Sequence, residues 1–538
     1  MTLARGVLAG SGAAFAHPCT RKRASPMGLG LVDTVTVILY LVGMLLLGGF
    51  FRRYVHSSRD YFLAGRALPF WAIGMSLVVT DIGAVDFVGV AGQAYRFGIA
   101  VANFDWLGTI PGMLIAAFVF VPYYWRAGVY TIPEFLERRY NVTVRTVEAG
   151  IWVLFIAFDL GILFWASALL LNTLMGWPIA FSILITAFVV GVYTISGGLS
   201  AVVMTDVVQL VIMYVGGFAV IALGLHEVGG WTGLVEKIHS LGAAYDRHFQ
   251  MFLPADANTP YPWTGILFGL TFVLANAYWI GNQTIVQRAL GAQDEWHAKA
   301  GMVLGSLLKL FIPVLVVTPG LIALALFPEI GDGDKAFPVL IHRLLPPGLT
   351  GLVFAGFLAA LMSSVDSALN AAATLFTKDV YQRFLVRKAD DRHYLRVGRL
   401  TTLALLVIGV ASAPLSQRFP GMYVYVQTLL SFIQGPTLAI LLLGMFWKRA
   451  TSAGGTAGLL VGIATSGLLF WFRSRLFTIS DPFLYISWWS FLASAIVTTA
   501  VSLFTEGLPQ ERLRGLVFHL IEEDEEAQAV LRRRVTGA

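Results

Sequence analysis

Long apolar runs, separated by short polar and basic stretches, dominate this chain. A membrane-spanning helix needs ~20 mostly apolar residues. Thirteen stretches are candidates, at 32–50, 68–97, 98–123, 146–173, 178–196, 203–226, 263–287, 299–327, 348–377, 397–416, 423–447, 453–472 and 483–505. Two are long enough to be tilted or broken. The pattern predicts an all-α polytopic membrane protein with about 13 transmembrane helices, and a lipid bilayer as its first partner.

Composition agrees. Of the 538 residues, 57% are hydrophobic and 13% charged, where a soluble domain carries ~25% charge. A soluble enzyme, a disordered chain and a fibrous repeat are therefore poor readings. The single cysteine, Cys19, leaves no disulfide framework and no Cys/His zinc spacing.

The net charge of +6 records orientation rather than a nucleic-acid partner. With the N-terminus outside and the C-terminus inside, inward loops and the tail hold 24 Lys and Arg, and outward loops hold 8. That asymmetry is the positive-inside pattern, and the expected location is a cell (inner) membrane. Arg126, Arg138, Arg139, Arg145 and Arg288 count among the inward charges. Residues 1–26 are the exception, with Arg5, Arg21, Lys22 and Arg23 outside. They read as a weak signal-like segment, or as an extension ahead of a true start at Met27, the reading favoured here. The tail carries IEEDEE and then Arg532 to Arg534, a solvated end.

Ionisable groups inside a bilayer are costly and mark function. Here they are Asp81, Asp86, Asp105, Asp159, Asp206, Asp366 and Lys309. Six carboxylates facing one ammonium point to a cation-coupled machine. The histidines lie in loops or at span ends, which argues against a buried proton relay. For Asp159 the bland reading, a hydrogen bond to a neighbouring helix, is the stronger one.

The second span places Gly83 directly after Asp81 and Ile82, and the seventh is interrupted from Asn276 to Gln283. Polar residues beside glycine at mid-membrane predict broken helices with free carbonyls. Two such helices five spans apart predict inverted repeats with the site between them. In the ninth span Ala360, Ser363 and Ser364 share one helix face, with Asp366 and Ser367 a turn further on. Hydroxyls and carbonyls make an oxygen-only site suited to an alkali cation, though serine also bonds its own helix. Gly454, Gly458 and Gly462 have the spacing of close helix contact.

The stretches DYFLAGRALPFWAIG (60–74), VYTIPEFLERRYN (129–141), ISGGLSAVVMTDVVQ (195–209), NQTIVQRALGA (282–292), the run 345–381 and LLLGMFWKRATSAGG (441–455) resemble the sodium:solute symporters, in their sodium–glucose cotransporter-like branch. The resemblance implies a LeuT-like five-plus-five inverted repeat with flanking helices. Its parts would be an extension (1–31), a leading helix (32–50), repeats at 68–226 and 263–447, two trailing helices (453–505) and a cytoplasmic tail (506–538). It further implies a main sodium site from the carbonyls of Val79, Ile82 and Ala360 and the hydroxyls of Ser363 and Ser364. A second cation site, seen in some members, falls on Asp206, Ser363, Asp366 and Ser367, with Asp366 in place of a hydroxyl.

For the solute, the resemblance implies Asp81, Asp86, Asp105, Lys309 and Gln427 as polar contacts, Tyr278 as the stacking ring and Trp279 beside it. Asp86, Ala275 and Gly108 depart from the branch and put the particular hexose in doubt. The implied activity is sodium-coupled import of a small-molecule substrate, a sugar or polyol, by alternating access, with no oligomer required. The rival reading is sodium- or proton-coupled symport of an amino acid or monocarboxylate. An enzyme is excluded for want of a P-loop, HExxH or GxSxG motif.

Overall fold

The computed structural model describes residues 30–518, apart from 52, 54, 84, 419–421 and 480. The N-terminal segment to residue 29, the acidic run and the terminal arginines lie outside the described residues. We label the spanning helices α1 (Leu31–Phe51), α2 (Phe70–Asp81), α3 (Asp86–Ala102), α4 (Phe104–Ala127), α5 (Val142–Asn172), α6 (Ile179–Val192), α7 (Gly198–Val228), α8 (Gly265–Gly281), α9 (Gln283–Leu290), α10 (Glu295–Leu326), α11 (Leu349–Leu385), α12 (Asp391–Leu415), α13 (Met422–Phe446), α14 (Ser452–Trp471) and α15 (Phe483–Phe504).

Among the described residues, ten helices are long and apolar enough to cross a membrane, or twelve when each bent pair is one span. The fifth predicted span is the shorter apolar helix α6, so the count of thirteen is not reached on length. It runs on toward α7, and Gly198 (φ 56°, ψ −156°) breaks the helix between them. A Cβ at Gly198 would meet the Tyr61 carbonyl oxygen at 2.6 Å, so both backbone and space require glycine there.

Both predicted interruptions are present. α2 ends at Asp81, Ile82 is extended, and the chain resumes as α3 after a 55° bend. α8 and α9 meet at a 51° bend at Asn282. There the Asn282 side chain caps α9 by accepting from the Thr284 N–H at 2.9 Å.

α11 is the most buried span and packs on α7, where Gly356 meets the backbone of Ile212 and Met213. α1 is tied to it: Asp33 Oδ1 accepts the N–H groups of Gly348 and Gly351, each at 2.7 Å. At the rim, Gly454, Gly458 and Gly462 of α14 face Ser502, Thr498 and Ser494 of α15 so closely that no side chain would fit. Phe118, Phe188, Val211, Leu400 and Ile496 stay exposed, as suits side chains that face lipid.

Three arginines correct the charge reading. Arg139, Arg145 and Arg288 are buried rather than loop-exposed. Arg139 donates to the carbonyls of Gly444, Trp447 and Ala450, taking up orphan acceptors at the end of α13. Arg145 pairs with Asp379 at 2.6 Å and also with Glu137, while Arg383 bonds the same Glu137 at 2.7 Å. The two guanidiniums hold the Glu137 carboxyl below its usual range despite burial.

Candidate functional site

The break after Asp81 frees carbonyls that helix bonding would otherwise use. α11 presents its serines to them. Ser363 Oγ donates to Val79 O at 2.9 Å and Ala360 O at 2.8 Å. Ser364 Oγ donates to Thr80 O at 3.2 Å and Ala360 O at 3.1 Å. A Cβ on Gly83 would meet Ser364 Oγ at 2.7 Å, so the Ile82–Gly83 joint lies directly on that hydroxyl. The structure thus brings Val79, Ala360, Ser363 and Ser364 together and seats Ile82 beside them. The Thr80 carbonyl is a member that sequence reasoning missed. This donor set is all oxygen and carries no formal charge, and rotating the two hydroxyls would turn their lone pairs toward a hard cation.

One turn further along α11 lies a second constellation. Asp206 Oδ2 accepts from Ser76 Oγ at 2.5 Å, Thr80 Oγ1 at 3.3 Å and Arg288 Nη2 at 3.3 Å. Arg288 also donates to the Ser367 and Thr80 hydroxyls and, at 2.6 Å, to Ser76. Ser367 Oγ donates to Asp366 Oδ1 at 3.1 Å. Asp206, Asp366 and Ser367 therefore meet, whereas Ser363 bonds within the first constellation. The cation among them is the Arg288 guanidinium, 1% exposed. Asp206 Oδ1 is buried without a partner among the described residues.

Above the joint a cavity of roughly 160 Å³ opens between the broken helices, α4, α5, α10 and α13. Asp81, Asp86, Asp105, Tyr278, Trp279, Lys309 and Gln427 all line it, as do Ile82 and Ser364. Lys309, fully buried, pairs with both Asp81 and Asp105, at 2.8 Å in the second case. Asp86 accepts the Gly83 N–H at 2.8 Å. The Tyr278 and Trp279 rings meet edge to face, centroids 5.7 Å apart. The site can hydrogen-bond hydroxyls from several sides and cover an apolar face with Tyr278.

Sequence reasoning also missed Glu148, Gln434 and Asn282. Glu148 is fully buried in α5 and accepts from Trp152 Nε1 at 3.0 Å and Thr437 Oγ1 at 2.7 Å. Gln434 and Asn282 line the cavity. Gln434, a polar residue in an otherwise apolar run, carried such a signal; Glu148 and Asn282 stand among other polar residues.

A hydroxyl-and-carbonyl cation site on a broken helix, opening onto a polar cavity at mid-membrane, defines a cation-coupled carrier. The comparisons narrow the class. The Sodium:solute symporter family profile matches residues 61–462. The chain is 34% identical over 503 residues to a sodium/glucose cotransporter of Vibrio parahaemolyticus, covering 89% of this chain and 91% of that one. It is 34% identical over 544 residues to sodium/glucose cotransporter 4 of Mus musculus, covering 91% and 78%. The fold is similar to that of a Na+-coupled sialic acid symporter, with TM-score 0.78, 21% identity and coverage of 89% and 99%. The protein belongs to the sodium:solute symporter family, whose members couple solute movement to sodium and are not enzymes. Its fold is the all-α, LeuT-like inverted repeat with flanking helices.

Proposed function

We propose that the protein imports a small polyhydroxylated solute, a sugar or polyol, together with sodium by alternating access. The observation that carries this reading is the joint at Ile82–Gly83: the serine hydroxyls meet the freed carbonyls there, and Ile82 and Ser364 also line the solute cavity. One element then senses both ligands.

Sodium at Val79, Ile82, Ala360, Ser363 and Ser364 pins α2 against α11 and shapes the cavity floor. Asp81, Asp105, Lys309 and Gln427 take the solute's hydroxyls, Tyr278 covers its apolar face, and Trp279 holds Tyr278 in place. Solute binding then permits the repeats at 68–226 and 263–447 to rock. Coupling comes from sodium's different affinity for the two states. An inward potential adds ~2.3 kcal/mol per charge per 100 mV. The protein sits in the cell membrane with its C-terminus inside. With Arg288 seated beside Asp206, the proposal is one coupling sodium; a second at Asp206, Asp366 and Ser367 enters only as Arg288 swings out.

Sodium-gradient uptake into proteoliposomes, compared across sugars, polyols, amino acids and monocarboxylates, tests the reading. Uptake confined to hydroxylated solutes supports it. Competition by simple monocarboxylates contradicts it.

A further inference from the structure

The cavity holds more carboxylates than its ammonium balances. Lys309 is committed to Asp81 and Asp105. Asp86 receives a backbone N–H, its one hydrogen bond among the described residues. Asp159 of α5 lines the same cavity and has no hydrogen bond or ion pair among the described residues. The bland reading of Asp159 as a helix–helix hydrogen bond therefore fails.

A second, independent observation lies on α13. Gln434 lines the cavity, is 1% exposed, and its amide nitrogen has no partner among the described residues. A buried donor without an acceptor calls for a ligand oxygen. The Glu148–Thr437 hydrogen bond, 2.7 Å, fixes the register of α5 against α13. Both helices line the cavity as they leave that anchor. Eleven residues along α5 reach Asp159 and ten along α13 reach Gln427, so at 1.5 Å per residue the two stand nearly level, ~15–17 Å above it, with Gln434 ~10–12 Å nearer the anchor. Asp159 thus shares the solute's level with Gln427.

A carboxylate inside the membrane stays ionised only with a cation beside it. Sodium at Ser363 and Ser364 supplies one at the cavity floor, on the α11 side. The α5 wall has none of its own. We infer that the solute carries a cationic amine beside its hydroxyls, as an amino sugar does. Its ammonium sits at Asp159, and the Gln434 amide donates to an oxygen at the solute's opposite end. This deepens the symport reading above and rests on it.

The test uses purified full-length protein and ligand-induced thermal stabilisation, in sodium and in potassium buffer. The probes are glucosamine and galactosamine, the matching neutral hexoses and the N-acetyl derivatives, at a pH where the amines are protonated. In sodium an amino sugar should bind roughly tenfold or more tighter than its neutral and acetylated partners. Asp159→Asn should remove that preference and leave the response to sodium alone unchanged. Gln434→Leu should weaken every hydroxylated probe without altering the preference. Equal affinity for the neutral hexose, a preference that survives Asp159→Asn, or no binding by either amino sugar overturns the inference. Stabilisation by sodium without solute reports on the symport reading separately. If it persists while the amine preference fails, only the inference falls; if sodium and potassium act alike, the symport reading falls.

Discussion

Single residues decide where charge can reside in this membrane interior. Lys309 serves two carboxylates at once, and its removal leaves Asp81 and Asp105 facing each other without a cation. Breaking a buried pair from one side costs ~3–5 kcal/mol. Lys309→Met is therefore expected to lower the melting temperature in detergent, with partial recovery when Asp81→Asn and Asp105→Asn are added. An unchanged melting temperature would show that the triad bears no load. Asp81, Asp105 and Lys309 were legible in the sequence because each interrupts an apolar run. Arg288 was not, since it sits near the end of a span, where arginine normally faces water. Glu148 was hidden by the mixed polarity of VTVRTVEAG, and only its bonds to Trp152 and Thr437 show that it points inward.

At the scale of elements, the two joints differ in what they do. The Gly83 joint touches the cation site, and the Gly198 break packs on Tyr61, against both its backbone and its ring. Gly83→Ala places a Cβ against Ser364 Oγ and should weaken sodium-dependent stabilisation roughly tenfold or more. Gly198→Ala forces a non-glycine residue to positive φ, a strain of about 1–3 kcal/mol. It should lower the melting temperature while leaving sodium affinity intact. If both variants lose sodium affinity alike, the local account of the site is wrong. The breaks at Gly83 and Asn282 were readable because a polar residue beside glycine has few other uses at mid-membrane. The fifth predicted span was not readable as short, because the apolar run continues past the point where the helix turns at Gly198.

At the scale of the whole molecule, the ends of distant helices are tied together outside the bilayer. Asp334, in the loop after α10, accepts the Met422 N–H at 3.2 Å at the start of α13. Burial pushes its carboxyl up to about 6; Asp332 adds to the rise, while the Met422 bond and Arg96 oppose it. The ordinary value is ~3.9. Asp334's contribution to stability is therefore fully present below that ordinary value and is lost as pH rises through about 6. Asp334→Asn should flatten this part of the melting-temperature profile, raising the variant relative to wild type on the alkaline side. Parallel profiles would rule the group out.

The family and the seven cavity residues followed from sequence because they rest on motifs of residue type. The register between α5 and α13, which puts Asp159 and Gln434 on the cavity, depends on packing that no periodicity records. The central claim is that sodium drives solute through the Ser363–Ser364 joint. Its most direct measurement is uptake into proteoliposomes under an inward sodium gradient, for wild type and Ser364→Ala. Wild type should accumulate a hydroxylated solute with sodium outside and not with potassium, and Ser364→Ala should lose that dependence. Accumulation that is equal in potassium, or unchanged sodium dependence in Ser364→Ala, would contradict the account.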